Sequence, residues 1–99
     1  MKASIGFALR STLPAKTCLD LAVEAENAGY SSIWVTEGSA GKDAFTLMAA
    51  LSQQTKIVSI ASGIVPIYLR TPALTAMSIA AIDELSNQRA ILGLSLIHI

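Results

Sequence analysis

Few residues in this chain are able to do chemistry, and they sit at the ends of short apolar runs. Glu37 closes the run Ser32-Ile33-Trp34-Val35-Thr36, where a carboxylate can accept a hydrogen bond or help move a proton. A second run, residues 57–65, ends in Gly63-Ile64-Val65 before Pro66, with Tyr68 and Arg70 just beyond. Arg70 suits either the mouth of a pocket or a surface ion pair. Two lookalike motifs fail on inspection. Gly38-Ser39-Ala40-Gly41-Lys42-Asp43 is shorter than a phosphate-binding loop and has Asp43 where a magnesium-binding hydroxyl is required. Glu24 and Glu26 are too close on one helix to face each other as a carboxylate pair. No metal site is expected.

These residues are placed by alternating elements. The runs 3–9, 32–36, 57–65 and 90–94 are too short for helices and rich in β-branched or large apolar side chains. Between them lie three helical patterns. The first begins near Pro14, with Ser11 or Thr12 as a cap, and stops at Gly29, a left-handed terminus; Cys18, Leu21, Ala22, Ala25 and Ala28 form its stripe. Cys18 is therefore expected to be a small buried thiol rather than a nucleophile. The second helix starts after Asp43 and runs to about Gln54, with Phe45, Met48, Ala49 and Leu51 available for packing. The third has Thr71 as cap, Pro72 at its first position, and an apolar face of Leu74, Met77, Ala81, Ile82 and Leu85. Trp34, within the second strand, is expected to pack in the core.

The order β-α-β-α-β-α-β, at a spacing close to that of βαβ units, makes the class α/β with right-handed crossovers. Pattern alone does not separate part of a barrel from a small doubly wound sheet. Charged residues are 14% of 99 and hydrophobic residues 53%, which suits strands buried on both faces. Seven basic residues balance seven acidic ones without forming a block, so neither nucleic acid nor an anionic membrane surface is an expected partner. The uncharged stretch 57–69 is too short to span a bilayer. A single cysteine and a start that runs straight into a strand point to the cytoplasm without a secretory signal.

The ordered segments Ile5-Gly6-Phe7, Ala28-Gly29-Tyr30, Trp34-Val35-Thr36-Glu37, Lys42-Asp43-Ala44-Phe45, Ser62-Gly63-Ile64-Val65-Pro66, Arg70-Thr71-Pro72-Ala73-Leu74, Asp83-Glu84-Leu85-Ser86 and Arg89-Ala90-Ile91-Leu92-Gly93-Leu94 together resemble the luciferase-like monooxygenase superfamily. Within it they are most similar to methylenetetrahydromethanopterin reductase-type enzymes, which use coenzyme F420. The resemblance covers residues 1–94 and implies the N-terminal half of a (β/α)₈ TIM barrel, with chemistry at the C-terminal strand ends.

It also implies a non-prolyl cis peptide at Gly63–Ile64, with Gly63, Ile64 and Val65 backing one face of a ring cofactor. Glu37 would lie near that ring or assist proton transfer. Some relatives carry a histidine after this acid, whereas this chain has Gly38. Phe7 and Leu9 would wall the substrate side, with Arg70 at the pocket mouth. F420 implies hydride transfer to or from a small-molecule substrate, and FMN, the alternative, implies oxygen activation. A non-catalytic flavin-binding relative is a third reading. Enzymes of this kind commonly pair through the second and third helices, so a homodimer is implied.

The close of the chain departs from the family pattern. Leu94-Ser95-Leu96-Ile97-His98-Ile99 is the translation of CTGTCTCTTATACACATC, which looks like a transposon-end sequencing adapter. Residues 95–99 are therefore expected to be non-native, and His98 is given no catalytic role. On that expectation the chain is an inactive fragment, because an open four-stranded sheet leaves two edges and much apolar surface bare.

Overall fold

The structure is a computed structural model and describes residues 4–38 and 41–96. Four parallel strands pair in the order in which they occur: β1 (Gly6–Arg10), β2 (Ser32–Thr36), β3 (Ser59–Ser62) and β5 (Ala90–Ile91). The third and fourth apolar runs are each interrupted. Beyond its break, the third resumes as β4 (Val65–Pro66) and the fourth as β6 (Leu94–Ser95), and these two pair in parallel. Helices α1 (Ala15–Asn27), α2 (Ala44–Gln54) and α3 (Pro72–Leu85) make the crossovers; α2 packs between the other two. A doubly wound sheet reverses its strand order and carries helices on both faces. Sequential strands under a single row of helices instead make an arc of a barrel.

The core lies between strands and helices. Leu9, Ile33, Val35 and Ile60 meet Cys18, Ala22 and Ala25 of α1 and Phe45, Leu47, Met48 and Leu51 of α2. Strand register explains the selection. Ile33 pairs with Phe7 and Ile60, and Val35 with Leu9, so one face of the sheet is apolar throughout. The opposite face carries Gly6, Ala8 and Arg10 from β1 and Ser32, Trp34 and Thr36 from β2.

Phe7 and Leu9 are therefore core residues rather than substrate-side walls. Leu9 is fully buried, and Phe7 stacks edge-on against Tyr30 at 5.3 Å between centroids. Trp34 differs from expectation in the other direction. It lies on the open face at 37% exposure, donating its indole N–H to Ser32 Oγ at 2.8 Å.

Local signals set most helix ends. Asp43 accepts from the Thr46 backbone N–H at 3.0 Å, Thr71 Oγ1 from that of Leu74 at 3.1 Å, and Gly29 adopts φ 97° after α1. The start of α1 differs, because Pro14 is its N-cap and no side chain caps it. Ser11 is instead folded under the β2–α2 loop, its carbonyl accepting from the Lys42 N–H at 3.2 Å.

Helix α3 buries only Ile82 fully, while Leu74, Met77 and Leu85 of its expected apolar face are exposed. It ends the row, with α2 on one flank and no helix on the other among the described residues.

At the N-terminal ends of the strands, Arg89 ties three elements together. Its Nη1 donates to the Val58 carbonyl at 2.9 Å and to Thr55 Oγ1 at 3.0 Å. Nη2 reaches the carbonyls of Ser52 and Thr55, and Nε that of Ser86. Glu26 completes this end by accepting the backbone N–H groups of Lys56, Ile57 and Val58 at 2.9, 2.7 and 3.0 Å. Burial pushes the Glu26 carboxyl up, but these donors and the charge of Arg89 outweigh it and hold it below its ordinary value.

Candidate active site at the strand ends

The C-terminal ends of the strands enclose a cavity of about 380 Å³. Arg10, Ser11 and Thr12 line it after β1, Thr36, Glu37 and Gly38 after β2, and Gly63, Ile64 and Pro66 around the break before β4. Expected site residues Glu37, Gly63 and Ile64 are thus brought together. Val65 is fully buried and does not line the cavity, and Tyr68 is exposed outside it.

The break that presents Gly63 and Ile64 is built by side-chain substitution for a ladder. Ser62 Oγ donates to the Gly93 carbonyl at 2.9 Å and accepts from the Gly93 N–H at 2.8 Å, where strand pairing between β3 and β5 has stopped. The Gly63–Ile64 peptide is cis, at the position that the resemblance implies. The Trp34 ring lies against Gly63 on the open face of the sheet.

Glu37 and Arg70 form one unit, which the sequence did not reveal. Arg70 Nη1 donates to Glu37 Oε1 at 2.9 Å and Nη2 to Oε2 at 2.6 Å, a bidentate pair with side chains 4% and 10% exposed. Arg70 Nη2 also pairs with Asp43, and its guanidinium stacks over the Phe45 ring at 4.7 Å. The Ala44 N–H, at the start of α2, donates to Glu37 Oε2 at 2.7 Å.

One arginine thereby fastens the end of β2, the start of α2 and the loop before α3. The two carboxylates raise the Arg70 pKa well above its ordinary value despite burial. Burial pushes the Asp43 carboxyl up, but hydrogen bonds from Thr46 and Arg70 outweigh this and leave it lowered. A larger, shallower hollow of about 550 Å³ lies on the other side of Glu37, over Lys42, Asp43 and Arg70.

Cys18 is fully buried in α1, with burial pushing its thiol up, as suits a core residue. Among the described residues no group of His, Cys, Asp and Glu is placed to hold a metal ion. His98 lies outside the described residues. The wall residues Arg10, Ser11 and Thr12 escaped sequence reasoning. The alternation of β1 held the signal for the first of them, since Leu9 facing the core obliges Arg10 to face the open side.

Parallel strands in sequence order, helices on one face and a cavity at the carboxyl ends define an arc of a (β/α)₈ barrel with its site where such barrels place theirs. Residues 3–95 match the luciferase-like monooxygenase family. The chain belongs to that family.

It is 34% identical over 70 residues to 5,10-methylenetetrahydromethanopterin reductase of Methanolobus tindarius, covering 71% of this chain and 22% of that protein. It superimposes on the coenzyme F420-dependent tetrahydromethanopterin reductase of Methanopyrus kandleri with a TM-score of 0.88 and 26% identity, over 95% of this chain and 27% of the other. The oxygenating constituent of 3,6-diketocamphane monooxygenase from Pseudomonas putida, in complex with FMN, shares the fold at TM-score 0.79 and 23% identity, over 96% of this chain and 30% of that one. The chain thus spans about a fifth of the length of the curated reductase and under a third of the solved structures.

Proposed function

We propose that the complete protein carrying this chain is an F420-dependent oxidoreductase that transfers hydride to or from a small-molecule substrate. The observation that carries this reading is the cavity at the strand ends, which brings Gly63 and Ile64 opposite the ends of β1 and β2 in a chain akin to F420-dependent reductases. The residues present fit a flat ring. Gly63 offers bare backbone as a support, and Ile64 and Pro66 add apolar surface that keeps water away. Val65 supports this wall from behind, in the core.

The deazaflavin supplies the hydride chemistry when bound; the protein supplies orientation and a dry pocket. Glu37 already receives Arg70 and the Ala44 N–H. We assign it to positioning the end of β2 at the ring edge, ahead of proton transfer. Arg70 acts through Glu37 and not as a substrate ligand.

No helix among the described residues is long and apolar enough to cross a membrane. The proposal places the complete protein in the cytoplasm as a homodimer through α2 and α3, a pairing supported by the exposed Leu74, Met77 and Leu85 of α3. Residues 95–99 remain assigned to an adapter-derived tail, although Ser95 pairs with Pro66. Genomic sequence running uninterrupted past Leu94 with different codons would end that assignment.

The function is tested by titrating the complete protein with reduced F420 and reduced FMN, then supplying substrate anaerobically and with oxygen. Binding and oxygen-independent turnover with F420 are expected. Turnover only with reduced FMN and oxygen would replace this reading with that of a monooxygenase, and binding without turnover would favour a non-catalytic relative.

A further inference from the structure

Paired strands normally advance in step, but around the cavity wall two of them do not. Ala61 pairs with Ile91 and Val65 with Leu94, so one strand places three residues, Ser62, Gly63 and Ile64, opposite Leu92 and Gly93 of the other. The extra residue makes a bulge, a device that re-aims a strand at the rim of a barrel. The segment it displaces is the Gly63–Ile64 wall of the strand-end cavity.

Three hydrogen bonds across the bulge converge on Gly93. Its carbonyl accepts from Ser62 Oγ at 2.9 Å and, beyond the bulge, from the Val65 N–H at 3.0 Å; its own N–H donates to Ser62 Oγ at 2.8 Å. On the other side of the wall, the Gly63 N–H donates to the Val35 carbonyl at 2.8 Å. Ser62 is fully buried, and its one donor is engaged by Gly93. Space at Gly93 is equally restricted. A Cβ there would collide with the Ser62 carbonyl oxygen, which is backbone and cannot swing aside, and would press on Ile64 Cγ2 at 3.3 Å. A side chain at this position therefore moves the strand that carries the wall.

We propose that Ser62 and Gly93 are positioning residues, a clasp that fixes how far the Gly63–Ile64 wall stands into the cavity and so how closely a ring cofactor seats on it. This rests on the reading of the cavity as a ring-cofactor site. Neither residue lines the cavity, so both act through Gly63 and Ile64. The effect is steep in distance. A gap of roughly 0.5–1 Å already forfeits a quarter to a half of each van der Waals contact.

The test uses the complete protein and two probes, F420 and FMN, titrated into wild type, Ser62→Ala, Gly93→Ala and Ser86→Ala below their melting temperatures. Ser86 is the control. It too is fully buried, and its hydroxyl donates to the Asp83 carbonyl and accepts the Arg89 N–H, but at the opposite end of the sheet. All three variants should melt below wild type, since each unpairs or crowds a buried backbone group. Ser62→Ala should weaken the ring that wild type binds about tenfold, through lost contact with the wall. Gly93→Ala should weaken it further, and Ser86→Ala should leave it unchanged. Should Gly93→Ala not fold, the contrast between Ser62→Ala and Ser86→Ala decides alone.

Equal affinity of Ser62→Ala and wild type overturns the clasp and leaves the proposed function intact. Equal weakening by Ser86→Ala overturns it too, because affinity would then follow stability wherever the change is made. If wild type binds FMN and not F420, the F420 reading falls, and the same contrast measured with FMN still decides the clasp. Binding of neither ring removes both.

Discussion

An arginine organises each end of this sheet, and the two do so with different partners. Arg89, at the N-terminal ends, donates mainly to neutral groups: four carbonyls and the Thr55 hydroxyl. Among the described residues Arg70, at the C-terminal ends, donates only to carboxylates, those of Glu37 and Asp43. In barrels of this kind the first end serves stability and the second function. The C-terminal end is thus fastened by ion pairs between side chains, whereas the N-terminal end is closed by charged side chains that bind backbone groups. Glu26 follows the same rule, for its carboxylate is covered by three backbone N–H groups.

The largest effect of substitution is expected at the C-terminal end. Arg70→Met leaves Glu37 buried without its counter-ion and should destabilise the complete protein by about 3–5 kcal/mol in urea unfolding. Adding Glu37→Leu should recover most of that loss. If the double variant is no better than Arg70→Met alone, the two residues are not a pair in the sense argued.

Arg89→Met orphans carbonyls but no charge, so about 2–3 kcal/mol is expected. Here no single second substitution should rescue, because the acceptors belong to the backbone. Rescue by changing Thr55 alone would contradict the contrast.

A smaller effect comes from the turn that delivers Arg89. Asn87 and Gln88 have φ of 58° and 67°, a left-handed conformation disfavoured for residues with a Cβ. Gln88→Gly should raise stability by about 0.5–1 kcal/mol, read as a shift in urea midpoint; a decrease would mean that the Gln88 side chain contributes more than the backbone strain removes.

The smallest effect is the acid response. Glu26 and Asp43 both have lowered pKa values, so each contributes stability fully above its unfolded pKa of about 4 and loses it as pH falls through the folded value. Glu26→Gln should therefore flatten the fall in urea midpoint between about pH 5 and 3. An unchanged slope would show that Glu26 is not held below its ordinary value.

Elements and their order were legible in the residues. Apolar runs of strand length, Asp43 and Thr71 as caps, Pro72 at the start of α3 and Gly29 at the end of α1 act within a few positions of themselves, so the local chain states them. Residue types also marked Glu37, Gly63 and Ile64, and here the family pattern did what single residues do not.

Tertiary structure decided what those elements face and what meets across them. The side of β1 that turns inward is set by its register with β2, which placed Phe7 and Leu9 in the core and left Arg10 at the site. The pairing of Glu37 with Arg70, 33 positions apart, depends on where the loop before α3 passes over the end of β2. Helical spacing gave α3 an apolar face but did not say that its outer flank would lack a helix among the described residues. The physical reason is common to all three. Propensity and capping are local energies, whereas facing, pairing and burial arise only when distant segments compete for the same surface.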